Sequence, residues 1–192
     1  FGPRAEELAS VALGHIERAG EDAVVSFGQG CEGEPLSEGV TLVETVLQIR
    51  EGTAEGVINL NTNASKPAVV EALCQAGLNS MRISTNSAQS DLYAAYYRPK
   101  GYAFADVQES GRVLKSYGGY LMLNYFIFPG VTDTQAELDA LSAWIARDSI
   151  DMIQLRNLNV DPELYLDVVA DALGDAEAMG VAQWLAELTR RH

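Results

Sequence analysis

The sequence predicts an α/β fold of parallel strands, closed into a barrel or half-barrel. Three observations point there. Short apolar, β-branched or aromatic runs alternate with segments of helical spacing, as βαβ units require. The runs also have two unlike faces. Asn59, Asn61 and Asn63 alternate with Ile58 and Leu60; Arg82, Ser84 and Asn86 with Met81 and Ile83; Gln154 and Arg156 with Ile153 and Leu155. Finally, the polar face becomes more polar toward the C-terminal strand ends. A doubly wound sheet is covered by helices on both sides, so its strands read as nearly continuous apolar runs. One apolar face under helices and one polar face turned inward suit a barrel with its chemistry at the C-terminal rim.

The strands are expected at Ala23–Phe27, Gly56–Asn61, Asn79–Ser84, Leu121–Phe128 and Ile150–Leu155. A helix precedes the first, with Ala5, Leu8, Ala12, Ile16 and Ala19 on one stripe, Pro3 in its first turn and Gly20 as its stop. Ser65 is expected to cap a helix carrying Pro67, burying Val69, Val70 and Leu73 and ending at Gly77. Thr134 is expected to cap another, with Leu138, Leu141 and Ile145 on its inner stripe. The last helical stretch runs from about Pro162 to Arg190 and breaks near Gly174. Tyr93, Tyr96, Tyr97 and Tyr102 around Arg98–Gly101 suggest a loop or short helix packed over one rim. No linker or repeat divides the chain, so residues 1–192 read as one domain.

Composition narrows the function. The 192 residues are 47% hydrophobic and 21% charged, a globular balance. Net charge is −14, and the three lysines, Lys66, Lys100 and Lys115, are scattered. Nucleic-acid binders cluster their cations, so no nucleic-acid partner is expected. No apolar stretch approaches the roughly 18 residues of a membrane span. Cys31 and Cys74 do not form a disulfide framework, and a reducing cytoplasm is the expected compartment. His15 and His192 are far apart in sequence, and no Cys or His spacing suits a metal.

What remains is the set of strand ends. Gly28, Gly30 and Gly33, with Glu32 and Glu34, follow the first strand: bare backbone for a ligand and carboxylates for an ammonium, or simply a surface turn. Asn61 and Asn63 end the second, and Arg82, Ser84 and Asn86 the third. Aromatics and Gly130 end the fourth, and Asn157-Leu158-Asn159 follow the fifth. Each alone is ordinary turn chemistry; five in succession suggest a ligand rim.

With these residues in place, the chain resembles the radical S-adenosylmethionine (radical SAM) superfamily, from the opening helix to about Asp161. The resemblance implies a partial (β/α)6 TIM-like barrel, with SAM and a [4Fe–4S] cluster as cofactors of the parent protein. It assigns Gly33-Glu34-Pro35 to the SAM amino group, and Ser84 and Asn86 to its ribose and carboxylate, with Arg82 also toward the carboxylate. Ile127, Phe128, Gly130, Asn157 and Leu158 fall at the adenine segments, and Asn61 and Asn63 join the cofactor contacts. The CxxxCxxC loop that carries the cluster after the family's first strand is absent. One omission would explain the missing loop, the missing first strand and the helix-first order. The expectation is an N-terminally truncated core whose parent cleaves SAM reductively to a 5′-deoxyadenosyl radical. This chain alone is expected to hold no cluster and to be inactive, and the parent to act on a peptide or small molecule.

Two other readings compete. One is a non-catalytic ligand-binding or interaction domain of the same fold. The other is an aldolase-type barrel, which would want a strand-end lysine, and no strand ends in one. The first strand, Val24–Phe27, is apolar and lacks the charge or proline that guards a sheet edge; self-association through it is expected.

Overall fold

The computed structural model describes residues 2–28, 33–157 and 160–192. Helix α1 (Ala5–Ala19) leads into β1 (Val24–Phe27), α2 (Gly39–Gly52), β2 (Val57–Thr62), α3 (Pro67–Ala76) and β3 (Ser80–Thr85). Two helices follow, α4 (Ser90–Tyr97) and α5 (Phe104–Ser116), then β4 (Tyr120–Phe126), α6 (Gln135–Asp148), β5 (Met152–Arg156), α7 (Pro162–Leu173) and α8 (Val181–Arg191). The five strands form one sheet in chain order, β1-β2-β3-β4-β5. Pairing is parallel, with Val24 beside Val57 and Asn61 beside Arg82. The predicted α/β architecture is present, and every predicted strand lies within two residues of its place.

Several local expectations change. Lys66 occupies the N-cap of α3, while the Ser65 amide donates to Asn63 Oδ1 at 2.9 Å; Asn63, not Ser65, organises that turn. Pro3 precedes α1, whose N-cap is Arg4: its amide donates to Glu7 Oε2 at 2.9 Å. Val69, Leu8 and Ile145 are half-buried, not core. Gly174 does end α7, and Thr134 does cap α6, accepting from the Glu137 amide at 3.3 Å. Tyr93, Tyr96 and Tyr97 of the tyrosine-rich segment lie on helix α4, while Arg98–Gly101 and Tyr102 follow it outside any helix.

Two compact units divide the chain, residues 1–83 with 106–122, and 84–105 with 123–192. In the first, Ile16, Val46, Ile49, Ile58, Leu60, Leu73, Met81 and Ile83 are buried at 2% exposure or less, so the apolar faces of β2 and β3 lie under helices. Arg50 of α2 ties together the N-terminal strand ends. It donates to the carbonyls of Gly77, Glu55 and Gly56 and to Asn79 Oδ1. In the second unit, Leu92, Phe126, Val131, Tyr165 and Val169 form an apolar cluster, with Tyr165 edge-on to Phe126 at 5.0 Å between ring centroids.

Candidate functional site

In the first unit the predicted site residues take unequal roles. Glu34 caps a 3-10 turn, Pro35–Glu38, by accepting from the Leu36 amide at 3.0 Å. The same oxygen, Oε1, accepts from Thr62 Oγ1 at 2.5 Å, and Oε2 accepts from the Asn63 amide at 2.7 Å. The carboxylate expected to meet an ammonium therefore holds the loop after β1 against the end of β2. Thr62 accepts in turn from the Ala64 amide at 3.0 Å, and Ala64 is left-handed, φ 55°. That is a strained conformation for a residue with a Cβ, kept because the surrounding bonds define it. Asn63 is a turn-former, as its bonds to Glu34 and Ser65 show.

Gly33 remains open. Its φ is +81°, it is exposed, and among the described residues nothing lies within 4 Å of a Cβ built there. Gly28 is the opposite case: at φ +79°, a Cβ would stand 2.1 Å from the Asn61 carbonyl oxygen. The close approach of β1 to the end of β2 requires glycine there. Phe27, Gly28, Gly33, Pro35, Thr41 and Leu42 help line a hollow of about 480 Å³. Gln29, Gly30, Cys31 and Glu32, the centre of the predicted loop, lie outside the described residues.

The inward polar face is real. Asn59 Nδ2 donates to Ser26 Oγ at 2.8 Å and to Asn61 Oδ1 at 3.3 Å, and Asn61 Nδ2 donates to Ser26 Oγ at 3.0 Å. Ser80 Oγ closes the set on Asn59 Oδ1 at 2.8 Å. Arg82 lines a cavity of about 560 Å³ with residues from the starts of the strands, Val24, Val57, Asn79 and Tyr120 among them.

In the second unit Asn86 is 1% exposed. Its amide donates to the Leu92 carbonyl at 3.1 Å and to Tyr165 Oη at 3.4 Å, while Oδ1 is buried without a partner. Ser84 is half-buried. Ile127 and Phe128 are half-buried at the end of β4, with the Ile127 amide bonded to the Arg156 carbonyl at 2.8 Å. The Gly130 amide donates to Asp133 Oδ1 at 2.6 Å, and Gly130 has φ +89°. Asn157 is exposed, and Leu158 lies outside the described residues.

One residue escaped sequence reasoning. Glu137, 1% exposed, accepts from Ser87 Oγ at 2.6 Å, the Ala88 amide at 2.7 Å, Gln89 Nε2 at 2.7 Å and the Tyr125 hydroxyl. A buried carboxylate is tolerated when donors surround it, and these donors fix the loop between β3 and α4. Burial and the nearby carboxylate push the Tyr125 phenol well above its ordinary range. Thr134 and Glu137 have capping-box spacing, the only sequence signal; it would have aimed Glu137 at the Thr134 backbone.

The residues present do not fit a [4Fe–4S] cluster. The chain has two cysteines, and three thiolates are needed from one loop in the fold family. Cys74 is buried in α3, and burial pushes its thiol up to about 11. Among the described residues no group of three or more His, Cys, Asp or Glu could hold a metal ion. In the first unit Gly33 is exposed, and in the second, taken by itself, Asn86 carries an acceptor without a partner. No helix among the described residues is long and apolar enough to cross a membrane.

No family model matches the chain, and no curated protein sequence does. Solved structures do. SuiB of Streptococcus suis superposes over 98% of this chain and 39% of its own, at 14% identity and TM-score 0.61. A radical SAM methyltransferase from Sphaerobacter thermophilus covers 98% of this chain and 55% of its own, at 19% identity and TM-score 0.60. A domain of pyruvate-formate lyase-activating enzyme from Bacteroides vulgatus covers 88% of this chain and 94% of its own, at 12% identity and TM-score 0.61. SuiB has also been solved bound to S-adenosylmethionine and to its precursor peptide SuiA. The chain spans about two fifths of SuiB and just over half of the methyltransferase. With its strands in chain order and helices between them, the chain shares the α/β fold of SuiB and of the radical SAM methyltransferase.

Proposed function

We propose that this chain is the SAM-binding core of a radical SAM enzyme, completed by a cluster-bearing segment supplied from outside its own cysteines. The observation that supports it is the superposition of nearly the whole chain on such enzymes, SuiB with bound S-adenosylmethionine included. When bound, S-adenosylmethionine supplies the 5′-deoxyadenosyl group that takes hydrogen from substrate in this class. The chain's part is binding and orientation. The open backbone at Gly33 accepts the ammonium end, with Pro35 stiffening the turn and Glu34 holding it in place through Thr62 and Asn63. Ser84 and Asn86 serve the ribose, Asn86 through its unpartnered Oδ1. Ile127, Phe128, Gly130 and Asn157, with Leu158, serve the adenine, Phe128 by ring contact. SuiB has been solved with a peptide, and a peptide or small-molecule substrate is proposed here too.

Isothermal titration of the chain with S-adenosylmethionine tests this. We expect weak but saturable binding, since no cluster anchors the methionine end, and a loss of at least tenfold in Phe128→Ala. Absence of saturable binding overturns the reading. The missing thiolates favour a second one, a non-catalytic ligand-binding domain of the same fold. Iron and sulfide analysis of the protein from its natural source separates them: four irons per molecule support the enzyme, none the binding domain.

A further inference from the structure

We infer that the polar cavity of the first unit is a binding site for a carboxylate-bearing ligand, held by Arg82 and Ser26. Two unsatisfied donors carry the inference. Arg82 Nε is buried with no hydrogen-bond partner, and one terminal nitrogen has only Met122 Sδ, at 3.9 Å. No carboxylate among the described residues bonds to it, in a chain where acids outnumber lysine and arginine 27 to 13. A guanidinium is always charged; Arg82 is half-buried, and its buried Nε–H lacks the acceptor that water would otherwise supply. Ser26 Oγ accepts from both Asn59 and Asn61, and among the described residues no acceptor is found for its own hydroxyl proton.

Both groups line the same cavity of about 560 Å³, and among the described residues no acid lines it with them. Asn59 and Ser80 are committed to the network that aims Ser26. Two donors without an acceptor call for an anion. A single guanidinium fork matches a carboxylate; a phosphate dianion would want further cations or a helix N-terminus. The other walls, Val24, Val57, Tyr120 and Met122, suit a short aliphatic stem. An acidic amino-acid side chain has both parts. The site stands without the SAM reading; joined to it, the carboxylate belongs to the substrate and not to the cofactor, as the resemblance had implied for Arg82.

The test follows the Arg82 Nε–H resonance of the labelled chain during titration with N-acetyl-glutamate α-amide, N-acetyl-glutamine amide, inorganic phosphate and S-adenosylmethionine. We expect a saturable shift with the glutamate probe alone, weakened at least tenfold in Arg82→Lys, which keeps charge but loses the fork. Ser26→Ala should weaken it several-fold. No shift with the glutamate probe, an equal shift with the glutamine probe, or unchanged affinity in Arg82→Lys overturns the site. Tighter binding of phosphate overturns the ligand class. A saturable shift with S-adenosylmethionine assigns Arg82 to the cofactor and overturns the substrate assignment. Failure of S-adenosylmethionine to bind anywhere counts against the proposed function and leaves this site standing.

Discussion

Glu34 and Thr62 are joined by a 2.5 Å hydrogen bond, from the Thr62 hydroxyl to Oε1, that fastens the loop after β1 to the last residue of β2. With the Asn63 and Leu36 amides on the same carboxylate, Glu34 organises two strand ends at once. Glu34→Gln keeps the shape but loses an acceptor. We expect a loss of about 1–3 kcal/mol, or roughly 2–4 °C in Tm per kcal/mol for a chain of this size. Thermal unfolding checks it. Unchanged Tm with weakened S-adenosylmethionine binding would mean that Glu34 meets the ammonium itself.

Gly28 and Gly33 are both left-handed, but only Gly28 faces backbone at 2.1 Å. Gly33→Ala should cost only the left-handed penalty of about 1–2 kcal/mol. Gly28→Ala adds a collision with the Asn61 carbonyl that no rotamer relieves, and should cost clearly more. Urea midpoints of the two variants give the order; equal midpoints would sink the close-approach account.

Stability should fall in alkali. Burial raises the phenols of Tyr97, Tyr125 and Tyr165, the last to about 12. A raised phenol means that above pH 10 the unfolded chain releases protons the folded chain keeps, which favours unfolding. The contribution is intact below pH 10 and erodes through about pH 12 for Tyr165, with a slope near 1.4 kcal/mol per pH unit for each phenol. Ultraviolet titration should show Tyr97, Tyr125 and Tyr165 ionising late, together with loss of structure. Tyr125→Phe should remove part of the slope while leaving Glu137 one donor short.

Strand β1 is an edge of the sheet and Val24 is 55% exposed on it. Unpaired edges template association unless a charge interrupts them. Sedimentation should show concentration-dependent self-association that Val24→Lys reduces. Identical profiles for both proteins would remove β1 from the account.

The order of elements and the two faces of each strand were set locally, by periodicity and by glycine and proline positions. That is why five strands appear where alternation places them, and why Asn59, Asn61 and Arg82 turn away from Ile58, Leu60 and Met81. Turn and cap chemistry was legible at Gly20, Gly77, Gly174 and Thr134, where one residue decides the backbone. Partners were not, because a side chain's hydrogen bonds come from residues distant in sequence. Glu34 looked like a ligand carboxylate until Thr62 and Asn63, 28 and 29 residues on, took both its oxygens. Asn86 read as a polar strand-end residue, and the bond it makes to Tyr165, 79 residues away, came only with the tertiary structure. Glu137 gave only a capping signal, and its donors lie 12 to 50 residues off. Arg82 is the converse: sequence placed the charge on the inner face, but only packing could show that no acid among the described residues arrives to balance it.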